Sequence, residues 1–173
     1  VTDIAVQVGR TGVLTPLAHF TPTLVAGSTV SKATLHNIDQ VRRLDIRIGD
    51  TVIIQKAGDV IPEVVEVLIK LRPKKTIEFM MPANCPICNA LVSTKDSVTK
   101  EKTVAYYCTN DACPAKNTRG IIHFVHVLDI YEVGPKIIDK LQEEGLISDA
   151  ADLFYLTEAD LAGLERLGEK SAK

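Results

Sequence analysis

Four cysteines arranged as two close pairs, CPIC (Cys85 and Cys88) and CTNDAC (Cys108 and Cys113), constrain this 173-residue chain more than any other feature. Two thiolates with two residues between them reach one ion from a single tight turn. A second pair across a hairpin completes a tetrahedron, the geometry that structural zinc prefers. Two disulfides in a secreted domain, or scattered thiols, are the other readings. With all four cysteines in one short segment and no signal peptide in view, zinc is the expectation. Four sulfurs leave no open position for water or substrate, so the metal is expected to hold shape and do no chemistry. The stretch DSVTKEKTV between the pairs is expected to be a charged hairpin arm.

The rest of the chain is ordinary in hydrophobicity, at 46%, but has no Trp and only 5% aromatic residues, which favours several small units over one large core. No apolar run approaches the roughly 18 residues of a membrane span. The first residue is Val, and a piece of something longer is the expectation. Net charge is only −2, yet residues 1–76 carry ten Lys/Arg against seven Asp/Glu while residues 121–173 carry five against eleven. A mildly basic front permits nucleic-acid binding without demanding it.

Three units are expected. Residues 1–76 read as short strands, DIAVQVG, VLTPLAHF, TLVAGSTV, TVIIQ and EVVEVLI, with one helical interval at SKATLHNIDQVRRLDI. Alternation and Gly/Pro/Ser punctuation suggest a small antiparallel barrel, and five strands plus one helix fit the OB-fold. The basic stretch KLRPKK (Lys70 to Lys75) reads as a linker; residues 77–118 form the cysteine finger, and 119–173 an all-α segment. The connection QKAGDVIPEV (Gln55 to Val64) is odd for a turn, because it combines a cation, Lys56, with two aliphatics, Val60 and Ile61.

The helical segment holds a short repeat. EVGPKIID and RLGEKSAK both show an aliphatic, Gly, any residue, then Lys, with Gly134 and Lys136 matched by Gly168 and Lys170. Pro135 suits a first helical position, Gly145 a helix stop, and Thr157 with Asp160 a capping box. Either these turns are plain glycine-capped connections, or they are helix-hairpin-helix turns in which Gly admits a phosphate and helix-start amides point at it. The residues alone leave both readings open. No P-loop, dinucleotide GxGxxG, HExxH or Gly-x-Ser-x-Gly elbow occurs, and the four histidines are scattered.

The runs VQVGRTGVLTP, ATLHN, DIRIGDTVIIQKAGDVIPEV, CPIC with CTNDACPAK, and GLISDAADLFYLTEADLAGLERLGEKSA together resemble the bacterial NAD-dependent DNA ligases over essentially the whole chain. The resemblance implies a multidomain order of OB-fold barrel, four-cysteine zinc finger and incomplete helix-hairpin-helix domain. It also implies a nucleotidyltransferase domain elsewhere in the parent, since no Lys-x-Asp-Gly nucleophile motif is present. By motif it places Lys56 on a phosphate, Val60 and Ile61 against the minor groove, Arg10 and Thr11 in a second contact, and the Gly134/Lys136 and Gly168/Lys170 turns on the backbone. Lys56 stands where many relatives have Arg, and Glu132 where a Gly is customary. The implied partners are nicked duplex DNA and the nucleotidyltransferase domain, with structural zinc here and NAD and magnesium serving the parent. A monomeric, cytoplasmic, nucleoid-associated protein of replication and repair follows, this portion being inactive alone. A free-standing zinc-containing nucleic-acid module is the alternative.

Overall fold

The computed structural model describes residues 1–58, 61–96 and 104–164, with backbone only at Lys95, Asp96 and Val104. The chain divides into two compact units, Val1–Cys113 and Pro114–Lys173. Among the described residues no helix is long and apolar enough to cross a membrane.

The first unit is built on a five-stranded sheet in the order β1 (Asp3–Val8), β2 (Leu14–Val25), β3 (Ser28–Thr34), β6 (Ile61–Val67), β5 (Val52–Ala57). Alternation fixes the register. Ile4 and Val8 of β1, and Leu14, Pro16, Ala18 and Phe20 of β2, turn inward while the residues between them stay wetter. β2 then shifts register between His19 and Thr23, and its last part, Thr21–Leu24, is exposed. A single parallel pairing, Thr34 with Glu63, joins the meander β1–β3 to the β5–β6 hairpin.

TLVAGSTV is not one strand. Ala26 and Gly27, at φ 44° and 75°, make a two-residue turn closed by Val25 and Ser28. Left-handed backbone at both central residues matches the twist of a hairpin. The helical interval is also shorter than its sequence suggests. The strand runs to Thr34, and α1 covers only Ile38–Leu44, because the Asn37 side chain accepts from the Gln40 amide at 2.9 Å and starts the helix there. Ile38, Val41 and Leu35 are nevertheless all buried, packing with Ile4, Phe20, Val30, Ile46, Val64 and Val67. Each such side chain contributes roughly 1.5–3 kcal/mol by leaving water.

KLRPKK is not a solvated linker throughout. Arg72 turns back onto the barrel and binds Asp50, whose side chain is 0% exposed. A short pair of strands, β4 (Arg47–Ile48) with β7 (Ile77–Glu78), follows, reinforced by Arg47 to Glu78 at 3.0 Å. The cysteine segment continues through the antiparallel stem β8 (Val92–Asp96) and β9 (Val104–Cys108), so DSVTKEKTV begins and ends in hairpin strands. Its residues 97–103 lie outside the described part.

The second unit is helical: α2 (Pro114–Val127), α3 (Pro135–Glu143), a 3-10 turn at Asp152–Tyr155 and α4 (Glu158–Ala162). Ile121 and Val125 of α2 meet Ile138 and Leu141 of α3, with Ile147 and Leu164, in a small core. Pro135 occupies the first turn of α3 behind an N-cap at Gly134, and Gly145, at φ 71°, follows its C-cap. Thr157 and Asp160 form the reciprocal capping box at α4.

Candidate metal centre and nucleic-acid face

The four cysteine sulfurs converge within 4.8 Å of one another. Cys85 and Cys88 sit on a tight knuckle, where the Cys85 amide donates to Ala90 O at 2.8 Å and the Asn89 amide to Cys85 O at 2.9 Å. Cys108 ends β9, and Cys113 follows a turn in which the Ala112 amide donates to Asn110 Oδ1 at 2.9 Å. Cys85 and Cys113 sulfurs stand 4.0 Å apart and Cys88 and Cys108 3.5 Å, well beyond the roughly 2.0 Å of a disulfide bond. Four sulfurs at about 2.3 Å from one tetrahedral ion would lie about 3.8 Å apart. The cluster therefore could hold a metal ion and fits a small thiophilic one.

The thiols are electrically unequal. A backbone hydrogen bond from Ala90 holds the Cys88 thiol down at about 6, while burial pushes Cys108 up to about 12. Without a cation, then, the buried thiol resists ionisation. A divalent ion reverses that preference by offering the thiolates a charge to bind.

The metal knuckles are fixed to the barrel. Val13 and Tyr107 bridge, the Cys108 amide donates to Gly12 O at 2.9 Å, and Tyr106, Phe79 and Met81 pack on the barrel core. The β1–β2 turn carrying Arg10 and Thr11, both exposed, thus lies beside the cysteine segment.

Lys56 and Ile61 prove to be strand residues, since β5 and β6 continue to Ala57 and Ile61, which pair directly. Ile61 is 55% exposed. The Lys56 ammonium donates to the Ser28 hydroxyl, and among the described residues no carboxylate meets it. Ser28 starts β3 opposite Val25, whereas Val8 and Leu14 close the Arg10–Thr11 turn. The two expected contacts accordingly sit at opposite ends of β2, and the structure does not bring them together. Val60, Gly168 and Lys170 lie outside the described residues.

In the second unit Gly134 has ordinary extended backbone, φ −89° and ψ 176°, and an added Cβ there would meet nothing within 4 Å among the described residues. Lys136 is exposed in the first turn of α3. Glu132, two residues before Gly134, adopts φ 67°, the left-handed region that favours glycine.

Two groups escaped sequence reasoning. His36 Nε2 lies 3.3 Å from Glu63 Oε2, and Gln55 Nε2 donates to Glu63 Oε1 at 2.7 Å, building a polar cluster on the β5–β6 ladder. The only local signal for it is that Gln55 and Glu63 bracket the odd hairpin. The Asp50–Arg72 pair had no signal, its members being 22 residues apart.

Comparison with known proteins agrees with the barrel. Residues 1–76 match the family model described as the NAD-dependent DNA ligase OB-fold domain. The DNA ligase of Desulfitobacterium hafniense (strain DSM 10664 / DCB-2) is 52% identical over 100% of this chain and 26% of its own length. That of Halothermothrix orenii is 53% identical over 99% of the chain and 25% of its own length, and DNA ligase 2 of Deinococcus deserti 48% over 99% and 24%. The chain spans about a quarter of the length of these relatives. With a barrel matched to the ligase OB-fold domain and about half its residues shared with these ligases from end to end, this chain belongs to the bacterial NAD-dependent DNA ligase family.

Proposed function

We propose that this chain is the portion of an NAD-dependent DNA ligase that grips nicked duplex DNA. The observation that carries the reading is the β5–β6 hairpin of a ligase-type barrel: it carries the Lys56 cation, free of any described carboxylate, and on the neighbouring rung, from the opposite face of the ladder, the exposed Ile61. A cation there gains by releasing counterions from phosphate, and an apolar side chain rests on the sugar edges of a widened minor groove. Arg10 and Thr11, at the other end of β2, make a second, separate contact, and Val60, which precedes Ile61 in sequence, adds to that of the hairpin. Gly134 supports a further one, because nothing among the described residues excludes a side chain at that helix start, whereas an approaching phosphate would. Lys136, and Gly168 with Lys170, complete the proposed backbone contacts of a helix-hairpin-helix domain.

Zinc is the ion proposed for Cys85, Cys88, Cys108 and Cys113, holding the finger of residues 77–118 against the barrel of residues 1–76. The nucleotidyltransferase domain of the parent, acting with NAD and magnesium, performs adenylation and sealing in replication and repair. This chain supplies positioning and no covalent step. Binding of the chain to nicked and intact duplexes of one sequence at low salt, with zinc assayed in parallel, tests the reading. Tighter binding to the nicked duplex, weakened by Lys56→Ala with a salt slope smaller by about one, is expected. Binding indifferent to Lys56→Ala at every salt concentration removes the hairpin from the interface.

A further inference from the structure

The Lys56 side chain continues a face of β5 whose earlier members, Val52 and Ile54, pack on the barrel core. Strand alternation carries it to the end of that face, beside the β2–β3 hairpin. There its ammonium donates to the hydroxyl of Ser28, a residue 28 positions away in sequence. Ser28 is itself placed by the Ala26–Gly27 turn, which pairs it with Val25, and its hydroxyl donates in turn to Val25 O at 3.4 Å. The hydroxyl hydrogen is thus committed to the backbone, and its lone pairs are left for the cation.

A hydroxyl anchor does what a carboxylate anchor would not. It fixes the head of a flexible four-carbon side chain without cancelling its charge, and it engages only one of three ammonium hydrogens. A carboxylate in the same place would neutralise the cation, and an anion would then have to displace it.

We propose that Ser28 is a positioning residue for Lys56: the β2–β3 hairpin holds the cation in one place before DNA arrives. The rotamer freedom that a lysine loses on meeting a phosphate is then already lost in the free chain. This rests on the reading that the β5–β6 hairpin meets DNA.

Positioning and charge leave different marks on binding. Ser28→Ala removes the anchor but keeps the cation, so affinity falls while the number of counterions released stays the same. Lys56→Ala removes the charge and lowers the salt slope as well. Nicked-duplex affinity is measured against salt for the unaltered chain, Ser28→Ala, Ser28→Thr, Lys56→Ala and the Ser28→Ala/Lys56→Ala double variant, with urea midpoints confirming that each folds. Ser28→Ala is expected to lower affinity about threefold at an unchanged salt slope, and Ser28→Thr, which keeps the hydroxyl, to restore it. The double variant is expected to bind no more weakly than Lys56→Ala. Tighter or unchanged binding by Ser28→Ala, while Lys56→Ala weakens it, overturns the positioning role and leaves the hairpin contact standing. A loss from Ser28→Ala that persists in full in the Lys56→Ala background also overturns it, by making Ser28 a contact in its own right. Unchanged binding by Lys56→Ala at every salt concentration overturns both readings.

Discussion

Arg72 donates from Nε to one oxygen of Asp50 at 2.8 Å and from Nη2 to the other at 2.9 Å, closing a two-pronged ion pair around a carboxylate with no exposed surface. The Arg47 amide adds a third donor to Asp50 Oδ2 at 2.8 Å, and Asp45 binds the outer edge of the same guanidinium at 2.7 Å. The clasp draws the chain that leaves β6 back across the barrel before it enters the cysteine segment. Removing Arg72 alone would leave Asp50 buried and uncompensated. Arg72→Ala is therefore expected to cost on the order of 3 kcal/mol in urea unfolding. The pair Asp50→Asn with Arg72→Met should lose less than the two single losses together. Additive losses would mean that the two side chains act independently.

An ion held by the four cysteines, zinc on the proposed reading, is expected to stabilise more than its own loop. Because β9 joins Gly12 and Val13 and its Tyr106 packs on the barrel core, loosening Cys108 should be felt across the barrel. A strong chelator should extract one zinc per chain and lower the melting temperature of the barrel, with Cys85→Ser reproducing both effects. Barrel melting unaltered by chelation would confine the metal's role to the finger.

Glycine chemistry in the helical unit separates fold from binding. Glu132, at φ 67°, carries the strain of a left-handed non-glycine residue, so Glu132→Gly is expected to stabilise the unit by up to about 1 kcal/mol. Gly145→Ala, at φ 71°, should destabilise it by about 1 kcal/mol. Gly134→Ala meets no strain and, among the described residues, no neighbour, so it should cost no more than the loss of a glycine N-cap, up to about 1 kcal/mol in thermal melting, while weakening nicked-duplex binding. Unweakened binding would make Gly134 a plain helix cap.

What the sequence displayed was local. Thiolate spacing, the Gly134–Pro135 helix start and the Thr157–Asp160 box each depend on residues a few positions apart, and each stands in the structure as its spacing implies. The turn at Ala26–Gly27 was hidden because alanine gives no sign of φ 44°. The length of α1 was misread because Leu35, Ile38 and Val41 all reach the core at helical spacing, although Leu35 does so from the loop before the Asn37 cap. The Asp50–Arg72 clasp and the Glu63 cluster depend on tertiary approach, which composition and periodicity do not encode.

Acid should loosen the helical unit through two carboxylates. Asp152 accepts from the Ser148 amide at 2.6 Å, the Ser148 hydroxyl at 2.7 Å and the Asp149 amide at 3.1 Å, the Ser148 amide contributing most to holding its pKa below the usual 3.8. Asp160 is lowered by the Thr157 hydroxyl and then the Thr157 amide, at 2.7 and 2.8 Å. A carboxyl whose folded pKa lies below its unfolded one binds protons more readily when unfolded. Its stabilisation is complete above about 3.8 and fades as pH falls through that value toward the folded pKa. Circular dichroism melts of the chain with Asp152→Asn and Asp160→Asn should therefore lie below those of the unaltered chain near neutrality and converge with them in acid. A gap that stayed constant down to about pH 2, below the ordinary carboxylate range, would assign the loss to packing rather than to charge.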